Sequence, residues 1–165
     1  MEDKRVIYIN SLYEENKLNN FINELENKLK ENEYIVYRNE NQNMDSIIDE
    51  NNKINPDIYL SLHTYGSQNS INGPNIYINK QYSLSDNIAK KIYDQLKLIY
   101  YNPIYNKNIN YTENISELEK IKSPSIYIEL FSYNNKEDNE WFLNKEEKIV
   151  DAVFLGIDNY FKKRD

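Results

Sequence analysis

The chain has 165 residues, with 20 basic and 27 acidic side chains, no cysteine, three glycines and a single histidine, His63. The lack of cysteine excludes disulfides, thiolate metal sites and a cysteine nucleophile, and one histidine excludes every motif that needs two. Three scattered glycines are too few for a dinucleotide-binding or P-loop phosphate cradle. The net charge of −7 argues against nucleic acid or an anionic membrane as the main partner, because both carry phosphate groups.

Hydrophobic periodicity predicts a single α/β domain that spans residues 1–165. The predicted strands are 5–10, 34–38, 57–63, 75–79 and 125–131, and the predicted helices are 14–31, 44–54, 83–99 and 145–161. Strands that alternate with helices indicate three layers, with a mostly parallel central sheet and helices on both faces. Residues 102–120 are polar and weakly patterned, so we expect a long loop there with at most one turn of helix.

Two ionisable residues fall near the carboxyl ends of predicted strands, where open α/β sheets bind their ligands. His63 ends the run DIYLSLH, and Glu129 lies late in the run SIYIELF. A carboxylate within an apolar strand is costly to bury unless it meets a donor, a cation or a metal. The alternative for Glu129 is an edge strand on which Tyr127, Glu129 and Phe131 face water. The alternative for His63 is a hydrogen-bonded histidine with no chemical role.

Glu14 and Glu15 follow the first strand directly and open the first helix. Acidic residues at a helix start also have a purely structural explanation, because they complement the helix dipole. Their position nevertheless brings them to the same edge of the sheet as His63 and Glu129. One histidine and two glutamates that converge there would form a zinc hydrolase site, with one carboxylate as general base.

Three segments of the chain resemble one known family. NPDIYLSLHTYGS followed by NGPNIYI is similar to its "ADLFISIHAN … G-V-E-V-Y-Y" motif, and SPSIYIELFSYNNKEDNEWF to its "PAVLVEIGFLSNPED" and "VLIESFFCDNKED" motifs. The closing DAVFLGIDNYF fits the family's last helix, and the order of the segments agrees. The family is the zinc-dependent N-acetylmuramoyl-L-alanine amidases, the family-three catalytic domain of autolysins, spore cell-wall amidases and phage endolysins.

This resemblance implies a peptidoglycan hydrolase that cleaves the amide between the lactyl group of muramic acid and L-alanine. In the family, one zinc is held by a histidine after the first strand, a glutamate at the start of the first helix, and the histidine of the third-strand motif. His63 matches the last of these ligands, and Glu14 matches the glutamate. Glu129 matches the catalytic glutamate, which acts on the zinc-bound water.

The chain departs from the family after its first strand, where RVIYIN runs straight into SLYEEN. The zinc histidine that follows the first strand in the family is missing here, together with its loop. Tyr13, Asn10 or Ser11 occupies the region. None of these residue types is a customary zinc ligand. The departure implies a degenerate metal site in which zinc is held weakly or lost, and it favours impaired catalysis.

Three hypotheses follow from this departure. The chain is an active amidase in which Glu15, Tyr13 or a carboxylate from residues 102–120 completes the metal shell. Otherwise it is a pseudoenzyme that binds peptidoglycan fragments or a partner protein, or an unrelated α/β binding module. A cleft filled by the 102–120 segment, or by Tyr13 and Tyr65, would favour the non-catalytic hypothesis.

The family also sets expectations for location and partners. We expect peptidoglycan or muropeptides as the ligand, with no nucleic acid and no membrane insertion. The amino terminus lacks the apolar core of a signal peptide. We expect a cell-wall or spore-envelope protein if a leader has been removed, and a cytoplasmic one if the chain acts as a phage endolysin does.

Overall fold

The computed structural model describes residues 3–12, 15–40, 43–66, 72–79, 83–105, 107 and 109–162, with only the backbone at Glu15 and Ser83. The strands are β1 Val6–Asn10, β2 Ile35–Arg38, β3 Ile58–Tyr65, β4 Asn75–Ile78, β5 Asn110–Tyr111 and β6 Ser125–Ser132. The helices are α1 Glu15–Glu31, α2 Met44–Ile54, α3 Ser83–Ile99, α4 Ser116–Lys120 and α5 Lys136–Lys162. None of the helices described here is long and apolar enough to cross a membrane.

The six strands form one mixed sheet in the order β2-β1-β3-β6-β4-β5. All neighbouring pairs are parallel except β4 and β6, which are antiparallel. The sheet and the helices on its two faces confirm the predicted three-layer α/β fold. The two-residue strand β5 lies within the segment expected to be a loop, and its short sequence has no periodicity to reveal it.

Two apolar clusters hold the helices against the two faces of the sheet. The larger cluster joins one face, including Ile7 and Leu60, to the apolar sides of α1, α3 and α5. The smaller cluster joins Tyr8 and Tyr59, which stack at 5.8 Å, to isoleucines of α2 and to Ile121. Alternate strand residues point to opposite faces, so β1 and β3 contribute to both clusters.

β6 lies inside the sheet, between β3 and β4. The edge-strand alternative for Glu129 is therefore wrong. Phe131, which that alternative placed in water, is buried, whereas Tyr127 and Glu129 are partly exposed on one face of the sheet. Both edges of β6 are hydrogen-bonded to neighbouring strands, and Ile126, Ile128 and Leu130 are fully buried in the larger cluster.

The last helix begins earlier than the predicted range of 145–161. α5 starts at Lys136 and contains a kink at Lys145, whose φ of −121° is not helical. The predicted range corresponds to the second of the two helical segments. The first has its own start signal, because the side chain of Asn135 accepts a hydrogen bond from the backbone N–H of Asp138 at 3.0 Å.

Candidate functional site

The register of three parallel strands places a row of polar and aromatic side chains on one face of the sheet. Asn10 pairs with Ser61, Ser61 pairs with Tyr127, and His63 pairs with Glu129. Residues two apart on a strand share a face, so all five belong to the same face. His63 and Glu129, identified from sequence as candidates at strand ends, therefore occupy paired positions near the carboxyl edge.

His63 is buried among aromatic and polar neighbours. Its ring stacks on Tyr127, with the ring centroids 4.0 Å apart and the planes at 15°. Its Nε2 atom lies 2.6 Å from the hydroxyl oxygen of Ser61. Burial lowers the pKa of His63 to about 4, so the imidazole is neutral at pH 7.

Glu117, on the short helix α4, completes this cluster. Its carboxylate is buried and accepts hydrogen bonds from the Tyr59 hydroxyl at 2.5 Å, the Ser61 hydroxyl at 3.1 Å and the Asn10 amide at 3.3 Å. Its Oε1 atom lies 3.8 Å from Nε2 of His63. Burial raises the pKa of Glu117, and the three hydrogen bonds act in the opposite direction.

The sequence hypothesis of a carboxylate from residues 102–120 left the residue unnamed. The signal that could have found Glu117 is the three-residue spacing of Ile115, Leu118 and Ile121 around it. Leu118 and Ile121 are fully buried, which indicates a helical turn packed against the domain. Tyr59 and Ser61 carried no signal of their own, because they belong to an ordinary strand pattern.

Glu129 is held by residues of β4 and by Lys107, a half-buried lysine behind them. The amide of Asn75 donates to the Glu129 carboxylate at 3.2 Å, and the hydroxyl of Tyr77 also hydrogen-bonds to it. Burial, together with the negative charge of Glu129, raises the pKa of Tyr77 to about 12. The Lys107 ammonium donates to the side-chain oxygen Oδ1 of Asn75 at 2.8 Å. This contact leaves the NH₂ group of the same amide facing Glu129.

A fully buried aspartate ties this end of β4 to β6. Asp138 accepts hydrogen bonds from the backbone N–H groups of Gly73 at 2.7 Å and Ser132 at 2.9 Å, and from the hydroxyl of Tyr100 at 2.6 Å. Gly73 has φ of +83°, which favours glycine, and a Cβ there would lie 2.9 Å from the Tyr105 ring. The segment that leads into Asn75 is thereby fastened beside Glu129.

The described residues do not supply the three protein ligands that a hydrolytic zinc site normally uses. Among them, no three histidine, cysteine, aspartate or glutamate side chains lie close enough together to hold a metal. The predicted ligand Glu14, and Tyr13 beside it, lie outside the described residues. Among the described residues, two buried side-chain atoms have no hydrogen-bond partner: Oδ1 of Asn51 and Oγ of Ser125. Neither atom belongs to the cluster around His63.

A family model for N-acetylmuramoyl-L-alanine amidases matches residues 3–159 of the chain. The chain belongs to this amidase family. A search of the curated proteins finds no match.

Solved amidase structures share the fold at low sequence identity. CwlD from Clostridioides difficile, solved in complex with the GerS lipoprotein, has a TM-score of 0.84 and 17% identity, covering 97% of this chain and 100% of its own. The amidase Ami1 from Mycobacterium smegmatis has a TM-score of 0.82 and 15% identity, covering 96% and 97%. The catalytic domain of an endolysin targeting Clostridia difficile has a TM-score of 0.80 and 17% identity, covering 95% and 98%.

The N-acetylmuramoyl-L-alanine amidase family supplies the substrate class, which is peptidoglycan, and it is typically zinc-dependent. The amidase fold of this chain carries His63 and Glu129 at the edge where its sheet pattern predicts ligand binding. It also carries Glu117 against His63, a contact between residues 54 positions apart in the sequence.

Proposed function

We propose that this amidase-family domain binds peptidoglycan at the carboxyl edge of its sheet, and that its own amidase activity is impaired or absent. The observation that carries the proposal is the position of Glu117. Helix α4, which belongs to the 102–120 segment, places the buried carboxylate of Glu117 3.8 Å from the ring nitrogen Nε2 of His63. A carboxylate from this segment that already accepts hydrogen bonds from Tyr59 and Ser61 beside His63 favours the non-catalytic hypothesis.

Energetics support the same proposal. Each good ligand contributes substantially to zinc affinity, and the chain has only one histidine where the family uses two. In addition, the polar atoms around His63 already hydrogen-bond to one another, so a metal would have to displace contacts that Asn10, Tyr59 and Ser61 make with Glu117. Zinc held by Glu14 and His63 alone would be bound weakly.

The binding surface that we propose is formed by paired side chains of β6 and β4 beside His63. Tyr127, Glu129, Asn75 and Tyr77 are only partly buried, and they offer a carboxylate, an amide, hydroxyls and aromatic faces. These groups suit the peptide amides and sugar hydroxyls of muropeptides. Lys107 and Asp138 hold this surface in place from behind, as described above.

An active amidase is the second candidate, and one distance favours it. The 3.8 Å between Oε1 of Glu117 and Nε2 of His63 is close to the separation of two ligands on one metal ion. In that case Glu117 would serve as the missing ligand and Glu129 as the general base. This requires Ser61 to give up its hydrogen bond to His63, which leaves its fully buried hydroxyl with fewer hydrogen bonds.

Metal analysis and a cleavage assay on the same preparation test the proposal. We expect protein purified without chelator, and then soaked in zinc, to hold well under one equivalent of the metal. We expect it to sediment with purified peptidoglycan and to release no new L-alanine amino termini from muropeptides. Glu129→Gln should weaken sedimentation, because it removes the charge at the centre of the binding surface, and Glu119→Gln, an exposed residue of α4, should leave it unchanged.

Stoichiometric zinc together with cleavage that Glu129→Gln abolishes would overturn the proposal and establish the active amidase. A protein that neither cleaves nor sediments would overturn the peptidoglycan ligand. That result would favour a partner protein instead, a type of ligand for which CwlD and its complex with GerS are the precedent.

A further inference from the structure

The hydrogen bonds around Glu117 form a chain whose direction is set at one end by the backbone. The N–H of Leu12 can only donate, and it donates to Oδ1 of Asn10 at 3.0 Å. This contact fixes which way the Asn10 amide points, so its NH₂ group must face the other side. There it donates to the hydroxyl oxygen of Tyr59 at 2.8 Å and to Glu117 at 3.3 Å.

The same direction continues through Tyr59. Its hydroxyl oxygen accepts the hydrogen bond from Asn10, so its own O–H is free to donate to Glu117, which lies 2.5 Å away. Three donors therefore point at one carboxylate, from Asn10, Tyr59 and Ser61. Such convergence satisfies an ionised carboxylate, which can only accept hydrogen bonds.

Ser61 has one hydroxyl proton and three neighbours that could accept it: the Glu117 carboxylate, Nε2 of His63 and the hydroxyl oxygen of Tyr59. The Glu117 carboxylate lies 3.1 Å from its oxygen, and Nε2 of His63 lies 2.6 Å from it. A hydrogen bond to a charged acceptor is roughly twice as strong as one to a neutral acceptor. If Ser61 donated to His63 instead, its oxygen lone pairs would face the carboxylate, and the two would repel. Ser61 therefore donates a hydrogen bond to Glu117 and accepts one from the Nε2–H group of the ring.

We infer that Glu117 is a positioning residue which, acting through Ser61, holds His63 as the tautomer that carries its proton on Nε2. A nitrogen that donates a hydrogen bond has no lone pair for a metal ion. The tautomer thus withdraws Nε2 from coordination and gives a physical reason for the weak zinc binding proposed above. The consequence for zinc rests on the proposed function, whereas the tautomer itself is measured independently of it.

The single histidine makes the measurement direct. The full chain is labelled with ¹⁵N-histidine, and a long-range ¹H–¹⁵N correlation spectrum at pH 7 then contains one imidazole. Nε2 is recognised because it couples to both ring-carbon protons. We expect the chemical shift of a protonated Nε2, and an Nε2–H proton that exchanges slowly with water because it is buried and hydrogen-bonded. An unprotonated Nε2 overturns the inference.

The variants Glu117→Gln and Ser61→Ala test the roles of the two residues. Glu117→Gln removes the charge that orients the Ser61 hydroxyl, and Ser61→Ala removes the hydroxyl itself. We therefore expect exchange of the Nε2–H proton to accelerate by about tenfold or more in each variant. Glu119→Gln is the matched control, since it makes the same chemical change at an exposed position of α4. Unchanged exchange in both Glu117→Gln and Ser61→Ala, in variants whose circular dichroism shows a native fold, overturns the role of Glu117.

Zinc provides a readout that separates this inference from the proposed function. One equivalent of Zn²⁺ should leave the Nε2–H signal of the wild-type protein in place. Loss of that signal, with Nε2 shifted as a metal-bound nitrogen, overturns the inference. Cleavage of muropeptides with the Nε2–H signal intact overturns the proposed function and supports the tautomer.

Discussion

Burial of the imidazole is the residue-scale property with the clearest consequence in solution. The pKa of His63 is lowered to about 4 in the folded chain, against about 6.5 for an unperturbed histidine. Between pH 6.5 and 4, His63 is therefore protonated in the unfolded chain but remains neutral in the folded chain. The stability contributed by the neutral ring is present above pH 6.5 and is lost as the pH falls towards 4.

We expect the free energy of unfolding to fall by about 2–3 kcal/mol more in the wild-type protein than in His63→Gln between pH 6.5 and 4.5. Urea denaturation of both proteins at several pH values measures the difference. Glu117 contributes the opposite slope, because burial raises its pKa, and comparison with His63→Gln separates the two contributions. Parallel stability profiles for the two proteins would contradict the prediction.

At the scale of elements, α3 and α5 touch where α5 has a glycine. A Cβ on Gly156 would lie 2.5 Å from the Cα atom of Ile92 and 2.7 Å from its backbone nitrogen. Backbone atoms cannot rotate out of the way as a side chain would. The close approach of the two helices therefore depends on the missing side chain.

We expect Gly156→Ala to lower the free energy of unfolding by about 2 kcal/mol, measured by urea denaturation. Alanine favours the helix by about 1 kcal/mol over glycine, but forcing two packed helices apart costs more. Glu147→Ala, at an exposed position of α5, is the control and should change stability by less than about 0.5 kcal/mol. A Gly156→Ala variant at least as stable as this control would show that the helices do not pack this closely.

The net charge of −7 is a property of the whole molecule, and it bears on how the domain meets a cell wall. Teichoic acids carry phosphate groups, which repel an acidic protein at long range. Salt screens this repulsion, because the Debye length falls from about 10 Å at 0.1 M to about 3 Å at 1 M. Peptidoglycan stripped of teichoic acids does not present the same barrier.

We expect the domain to sediment less with walls that contain teichoic acids than with stripped walls at low ionic strength. The difference should close as salt is raised, because only the repulsion depends on screening. Sedimentation of one protein preparation with matched walls, over a range of sodium chloride concentrations, measures it. A preference for teichoic-acid-containing walls at low salt would contradict the prediction.

Local patterns in the sequence predicted most of the fold. Periods of two and of three to four residues located five of the six strands and the cores of the long helices, because these patterns depend on neighbours along the chain. They missed β5, which is too short to show a period, and the first part of α5, whose start is marked by the cap at Asn135. The antiparallel pairing of β4 also has no local signal, since it depends on how the chain returns to the sheet.

The fold class and the family resemblance follow from the sequence alone, which also singles out His63 and Glu129 as candidate site residues. These two residues stand out because the chain has one histidine and because the ends of strands can be recognised from local sequence patterns. Only the tertiary structure decided that Glu117 lies against His63 and that Asn10, Tyr59 and Ser61 link the two. Contacts of this kind join distant parts of the chain, and the direction of their hydrogen bonds exists only once the strands are paired and α4 is packed over them.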